Sequence, residues 1–332
     1  MRVLKKILAV LDGGDADATA LCKAVSLARW HGAELELFLC DAQRAYSLSR
    51  TYDPHGIEEF RRAAVRESRR YLEGLRDTAV GADVRISVDA ACESPLYEGI
   101  VRKVMSSRPD LVIKSAAGRD RQEWDANDWQ LMRACPATLL LSRGHCWGPV
   151  LKLAAAVDVS ECEASDAGRA VPQSVIEFCA SVSAGSTGNL EVLYSEAPDA
   201  SPDSHRRRAL LLDSLAREAG VAGERVHILR GEPEQTLPAF ASDRGYDALV
   251  MGALTHRVGV STLIGTLTAK LVETLGCDFV LVKPPGYAID IDRRARLPAQ
   301  EMPIESPPPQ PKSSDAALGF VAPWELPPRD SA

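Results

Sequence analysis

The chain has 332 residues, 45% of them hydrophobic and 26% charged, with a net charge of −7 and a pI of about 5.5. That is ordinary globular composition in a length that suits about two domains. The acidic balance argues against a nucleic-acid partner, whose binding surfaces are basic, and no apolar stretch is long enough to span a bilayer.

The N-terminus, MRVLKKILAVLDGG, places basic residues before an apolar run and so invites reading as a signal peptide. The run is short, leads into Asp12 and Asp15, and has no small-residue cleavage site. Residues 7–11 are therefore expected to form the first strand, with Asp12 to Asp15 as the turn after it. Leu21, Ala24, Val25 and Ala28 fall at helical spacing, and Gly32 ends that helix. Leu35, Leu37 and Leu39 alternate with polar neighbours, as in a strand. A strongly charged stretch follows, in which Phe60, Ala64, Tyr71, Leu72 and Leu75 mark an amphipathic helix with a solvated face. Residues 84–88 read as the third strand, Ser94-Pro95 as a helix start, 111–113 as the fourth strand and 138–141 as the fifth.

After a short linker at 143–149 the order repeats. Residues 153–157 match the first strand, and Asp158 stands where Asp12 stood. Leu190, Val192 and Tyr194 mark strand two. Leu212, Leu215, Ala216 and Ala219 give a helical face that ends at Gly220. Residues 225–229 read as strand three. Tyr246-Asp247 precedes strand four as Pro109-Asp110 does earlier. Repetition at this long period means two copies of one fold. Alternating strands and helices imply right-handed crossovers and a parallel sheet covered on both faces. Beyond Pro285 the chain turns rich in Pro, Ser and charge, with PPPQPK at 307–312 and an apolar cluster of Phe320, Trp324 and Leu326. Such a tail is expected to be disordered.

The cysteines are Cys22, Cys40, Cys92, Cys135, Cys146, Cys162, Cys179 and Cys277. None forms a CxxC pair and no spacing suggests zinc. Several lie in apolar runs and are expected to pack as small hydrophobes. A reducing cytoplasm is the expected compartment.

The stretch that organises the second half runs from Tyr246 to Pro284. An apolar strand ends at Gly252, a loop with glycines at 252, 259 and 265 follows, and Gly265-Thr266 opens a helix with apolar residues at 268, 271, 272 and 275 in its face count. Gly276 is expected to close that helix in a left-handed conformation, before a last strand over 279–282. Backbone N–H groups of the loop and the helix N-terminus suit an anion. The same glycines also suit a tight loop that merely crosses the sheet.

Gly252, two residues, Thr255, nine residues and Gly265-Thr266 resemble the nucleotide loop of the universal stress protein family, with Thr255 in place of a second glycine and Leu254 where the family usually has Arg. Asp12, DLVIK at 110–114 and DWQLMRACP at 128–136 resemble the N-terminal half of tandem members, so the likeness covers roughly residues 5–285. It implies an α/β chain of two tandem flavodoxin-like open parallel sheets, five-stranded, in the order 3-2-1-4-5, a layering shared with adenine nucleotide alpha-hydrolases. The halves would be residues 1–145 and 150–285, with a Pro-rich tail at 286–332. The fifth strands would cover each other's edges within the chain, as an intramolecular pseudo-dimer, and homodimerisation of whole chains stays open.

The resemblance further implies a stress-response protein that is not an enzyme and that holds ATP or a related adenine nucleotide, with Mg only as a companion of bound nucleotide. The implied nucleotide-binding residues are Asp158, Tyr194, Gly252, Leu254, Thr255, Gly265, Thr266 and Thr268, with His256 and Arg257 as a substitute for the missing Arg. No catalytic residue or resident metal is implied. The first half has no comparable glycine loop, and Glu123, Asp125 and Asp128 occupy its place, so it is expected not to bind nucleotide; Asn127 or Asp125 would cap the local helix. An alpha-hydrolase enzyme is the competing class, but the sequence has no HxGH, SGGxD or KMSKS-like run. A scaffold with an apolar ligand or a protein partner is the other alternative, favoured by Leu254, Val258, Leu263 and Ile264.

Overall fold

The computed structural model describes residues 4–48, 54–79, 83–115, 124–160, 162, 166–186, 188–253 and 266–283. The first half contains β1 (Lys6–Leu11), α1 (Asp17–His31), β2 (Glu34–Cys40), α2 (Ala42–Leu48), α3 (Pro54–Thr78), β3 (Ile86–Ala91), α4 (Leu96–Ser107), β4 (Leu111–Ser115), α5 (Ala126–Ala134) and β5 (Thr138–Ser142). The second contains β6 (Lys152–Ala156), α6 (Asp166–Ser186), β7 (Asn189–Glu196), α7 (Pro202–Glu218), β8 (Val226–Arg230), α8 (Pro233–Arg244), β9 (Ala248–Gly252), α9 (Thr266–Thr274) and β10 (Asp278–Val282).

The ten strands of the described residues form one sheet in the order β3-β2-β1-β4-β5-β10-β9-β6-β7-β8. Each half keeps the order 3-2-1-4-5, and its strands run parallel. The middle strands are unbroken apolar runs because helices cover both faces. One face packs α1, α3, α6 and α7 against residues such as Ile7, Leu35, Leu153 and Val250; the other packs α4, α5, α8 and α9 against Leu8, Val112, Leu139 and Leu249. Both cores run across the boundary between the halves. A repeated clamp fixes the strand register. Asp110 accepts the backbone N–H groups of Lys5 and Lys6 at 2.8 and 3.0 Å, and Asp247 accepts that of Lys152 at 2.8 Å.

Three local expectations differ from the fold. The third strand lies at Ile86–Ala91 rather than 84–88, because pairing of Leu35 with Ile86 sets its start and local propensity does not. Gly276 is not in a left-handed conformation; α9 ends at Thr274, and the Leu275 N–H bonds the Leu271 carbonyl. Helix α2 lies in the stretch that composition marked only as charged. The tail beyond residue 283 lies outside the described residues.

The seam between the halves is an antiparallel pairing of β5 and β10, with Phe279 opposite Leu141, Val280 opposite Leu140 and Leu281 opposite Leu139. Its ends are tied by pseudo-symmetric caps. The Arg143 guanidinium, just after β5, donates to the Val272 carbonyl of α9 at 2.7 Å; the Lys283 ammonium, just after β10, donates to the Met132 carbonyl of α5. These carbonyls belong to the last turns of their helices, where no intrahelical donor remains and a cation suits the helix dipole. Trp124 of the first half adds an indole N–H to the same Val272 carbonyl at 2.9 Å. At the centre, Lys23 of α1 pairs with Asp278 of β10 at 2.7 Å, and both side chains are fully buried. The ammonium also bonds Ser142 Oγ and the Arg143 carbonyl, while Asp278 accepts the Arg143 backbone N–H and the Trp147 indole N–H, each at 2.7 Å.

Removing one member of a buried, hydrogen-bonded pair strands the other charge and costs about 3–5 kcal/mol. Lys23→Met is expected to lower the urea-unfolding free energy by about that much at pH 7. Burial already raises the Asp278 carboxyl above its usual range, and Lys23 opposes that rise. Without the cation, protonation relieves the buried charge, so the loss should be smaller at pH 5 than at pH 7. An equal loss at both pH values would contradict the electrostatic assignment.

Candidate functional site: a cleft at the ends of β6, β7 and β9

A cleft of about 290 Å³ opens where β6, β7 and β9 end, at the point where the second half's strand order reverses. Ala156, Val157, Leu193, Leu237 and Met251 supply apolar walls. Asp158, Tyr194, Ser195, Arg208 and Glu232 supply the polar groups.

Asp158 lies two residues beyond the end of β6 and is exposed. Its Oδ1 accepts the Ser160 N–H at 2.8 Å, as Asp12 accepts the Gly14 N–H at 2.9 Å in the first half. Among the described residues the other oxygen makes no hydrogen bond. Tyr194 is buried, its phenol pushed up to about 12, mainly by desolvation, with the nearby Arg208 charge acting the other way. Arg208 reaches in from α7 and is held by the buried Glu196 at 3.4 Å; His205, three residues earlier, bonds the other Glu196 oxygen at 2.7 Å. Ser195 Oγ donates to the Gly231 carbonyl at 2.9 Å and meets Thr236 Oγ1 at 2.7 Å, which ties β7 to the start of α8.

Gly252 ends β9, where a Cβ would come within 2.2 Å of Val171 Cγ1 on α6. The glycine is therefore required by helix-on-strand packing at least as much as by any ligand. Thr266 begins α9, and Thr268 is buried in its first turn. Leu254, Thr255, His256, Arg257 and Gly265 lie outside the described residues. Sequence reasoning missed Arg208, Ser195, Glu232 and Met251. Only helical spacing hints at Arg208, because residue 208 shares a face with His205, Leu212 and Leu215.

The first half differs at the matching positions. Sheet register aligns Lys114 with Met251, since Val10 pairs with Lys114 as Ala156 pairs with Met251. Counting from the helix starts aligns Asp128 with Thr268. Lys114 and Asp128 form a buried ion pair at 2.6 Å. The expected wall of bare carboxylates is thus corrected: Asp128 is neutralised by Lys114, Asp125 caps α5 by accepting the Asp128 N–H at 2.7 Å, and Glu123 lies outside the described residues. Burial raises the Asp128 carboxyl, with the Lys114 charge working against it. At the end of β1, the buried Asp17 accepts N–H groups of Asp12 and Gly13 at 3.1 and 2.9 Å and the Tyr71 hydroxyl at 3.0 Å. Here a side-chain carboxylate of the chain itself takes up the backbone donors.

Among the described residues no His, Cys, Asp and Glu group could hold a metal, and no helix is long and apolar enough to cross a membrane.

Fold and cleft together define a doubly wound α/β protein with a cleft at the topological switch point, where such sheets take ligands. A model of the universal stress protein family matches residues 4–142 and 165–283, and the chain belongs to that family of stress-response proteins, with two repeats in one polypeptide. It is 24% identical over 310 residues to universal stress protein E of Escherichia coli K12, covering 88% of this chain and 98% of that protein. A universal stress protein E homolog of Haemophilus influenzae is 22% identical over 305 residues, covering 84% and 97%. Two solved structures share the fold. A putative universal stress protein from Pseudomonas aeruginosa aligns at a TM-score of 0.67 with 20% identity, over 85% of this chain and 94% of that one. One from Archaeoglobus fulgidus aligns at 0.63 with 11% identity, over 84% and 98%.

Two stability measurements check this geometry. Gly252→Val should destabilise the protein by about 1–3 kcal/mol through overpacking against Val171, and shortening the neighbour with Val171→Ala should recover part of the loss. The Asp17 carboxyl is raised to about 6, first by desolvation and then by Asp12. Folded Asp17 keeps its proton to higher pH than unfolded Asp17, so stability should fall as pH rises from about 4 to 6, by on the order of 2–3 kcal/mol, and level off above. Urea midpoints at pH 4.5 and 7 should differ less in Asp17→Asn than in the parent.

Proposed function

We propose that the protein is a non-enzymatic stress-response sensor or scaffold that holds an adenine nucleotide in its second half. The observation that carries this reading is the cleft between Asp158, Tyr194, Arg208 and Met251, at the rim where an open α/β sheet takes its ligand. Its apolar walls suit a purine ring. Asp158 and Glu232 are acceptors for amine or ribose hydroxyl donors, and Arg208 is a fixed cation. The volume lies at the lower limit for small-molecule sites, enough for a base and sugar. The phosphates then belong to the segment that Gly252 and Thr266 bracket. There Thr255, Gly265 and the α9 N-terminus, with Thr268 in its first turn, offer backbone and hydroxyl donors, and Leu254 contributes no charge. Magnesium would arrive only with the nucleotide's phosphates.

The first half, residues 1–145, is in this reading a partner in folding that does not bind nucleotide, because Lys114 and Asp128 stand where the second half, residues 150–285, has Met251 and Thr268. Residues 286–332 are taken as an appended tail. The cytoplasm is the proposed compartment, and the net charge of −7 argues against a nucleic-acid role. The apolar share of the cleft supports one rival, a scaffold that takes an apolar ligand or protein segment instead.

Calorimetric titration of the full chain with ATP, ADP, AMP and adenosine separates the two. Ala197→Trp, an exposed residue on the cleft wall, is expected to abolish binding of all four. Gly265→Asp is expected to weaken ATP at least tenfold, about 1.4 kcal/mol, while leaving adenosine unchanged. Multiple-turnover phosphate release should stay at the uncatalysed level. If none of the four ligands binds, or if ATP binding survives both substitutions, the nucleotide reading is wrong.

A further inference from the structure

Helix α9 is held at its far end by the first half of the chain. It runs only from Thr266 to Thr274, and a helix that short takes its position from what it packs against. Leu271, Val272 and Leu275 lie in one buried cluster with Trp124, Leu131 and Met132 of the first half. In the last turn of α9 the Val272 carbonyl accepts two donors from across the seam, the Arg143 guanidinium at 2.7 Å and the Trp124 indole N–H at 2.9 Å. The two donors also rest on each other, with the guanidinium 5.0 Å from the Trp124 ring centroid, and both side chains are buried. On the solvent side an exposed pair, Lys270 with Glu234 of α8 at 3.4 Å, adds little.

Trp124 is fixed in turn by the residues that stand where the second half has Met251 and Thr268. It immediately precedes Asp125, the N-cap of α5. The Asp125 carboxylate accepts the Asp128 N–H at 2.7 Å, and the Asp128 carboxylate accepts the Asp125 N–H at 3.3 Å. Asp128 is paired with Lys114 of β4 at 2.6 Å, and both side chains are buried. An unbroken series of polar contacts therefore runs from β4 through the start of α5 to Trp124, and across the seam to Val272.

We propose that Trp124 and Arg143 of the first half are positioning residues for the nucleotide site of the second: through the Val272 carbonyl they fix α9, so that its N-terminal N–H groups meet the ligand's phosphates already in place. The inference rests on the nucleotide reading above and gives the first half a share in binding without any contact with ligand. Lever length supplies the magnitude. A helix of nine residues is roughly 13 Å long, so a tilt of about 10° at one end moves the other by about 2 Å. Hydrogen bonds tolerate only a few tenths of an ångström before they weaken, so an unanchored α9 would have to be ordered by the ligand at a cost in affinity. The base and sugar lie against β6, β7 and the start of α8, and α9 does not line that cleft, so their binding is independent of the anchor. The mirror-image cap, Lys283 on the Met132 carbonyl, holds α5 and so provides a structural control.

The test is calorimetric titration of the full chain with ATP and with adenosine, repeated on Trp124→Phe, Arg143→Met, the double variant and Lys283→Met. Trp124→Phe keeps an aromatic ring and loses only the N–H donor. In the double variant ATP should bind about three- to tenfold more weakly while adenosine is unchanged, and Arg143→Lys, which retains a cationic donor, should lose less than Arg143→Met. Lys283→Met should leave the ratio of the two affinities as in the parent. The proposal is overturned if the folded double variant keeps the parent ratio, if Lys283→Met lowers it equally, or if adenosine weakens as much as ATP. A measurement on the unmodified protein covers the case in which the double variant does not fold. The Trp124 indole N–H resonance, assigned by its loss in Trp124→Phe, should shift with ATP and far less with adenosine; a resonance indifferent to ATP overturns the proposal. If the parent binds neither ligand, the nucleotide reading fails and this one with it; if it binds both and the variants keep the ratio, only the role of Trp124 and Arg143 fails.

Discussion

Lys23 and Asp278 lie 255 residues apart in the chain and share a buried ion pair on which the joining of the two halves depends. An ammonium and a carboxylate taken out of water repay their desolvation only when every remaining donor and lone pair is used. Here the ammonium has the hydroxyl of Ser142 and the carbonyl of Arg143, and the carboxylate has a backbone N–H and an indole N–H. Nonpolar packing alone would let β5 slide along β10, since Leu139, Leu140 and Leu141 are chemically alike. A charge pair with fixed partners admits one register. The Arg143 and Lys283 caps then extend that register to the helices on either side.

The two halves have the same topology but have diverged at two aligned positions. In the first, Lys114 and Asp128 join β4 to α5 through a buried ion pair. In the second, Met251 and Thr268 leave that place uncharged, and Met251 becomes a cleft wall. Tyr71 and Asp17 complete the self-sufficiency of the first half by occupying the backbone donors after β1. Its buried polar groups are satisfied internally, as burial requires.

Much of the fold was legible in the residues because period and burial carry it. Unbroken apolar runs marked the central strands, and the Asp12/Asp158 and Asp110/Asp247 repeats announced a duplicated unit. The Cα partners of the edge strand β3 are set by pairing with β2, which no local pattern records, so its bounds moved from 84–88 to Ile86–Ala91. Long-range polar contacts were illegible for a different reason. Nothing near Lys23 distinguishes it from a surface lysine, and nothing near Arg208 separates it from Arg206 and Arg207 except helical phase. Gly252 was legible as a special glycine, but its close approach to Val171 gives a packing reason that the loop pattern had not suggested.

The antiparallel seam has one further result for the duplicated sheet. Because β10 runs against β5, the carboxyl rims of the two repeats look out of opposite sides of the molecule. The span between them is at least that of a five-residue strand, about 17 Å, roughly twice the screening distance of about 8 Å in physiological salt. Charge gained or lost at one rim is therefore scarcely felt at the other through solvent. Each rim was free to change its chemistry alone, and whatever passes between them must travel through the strands themselves.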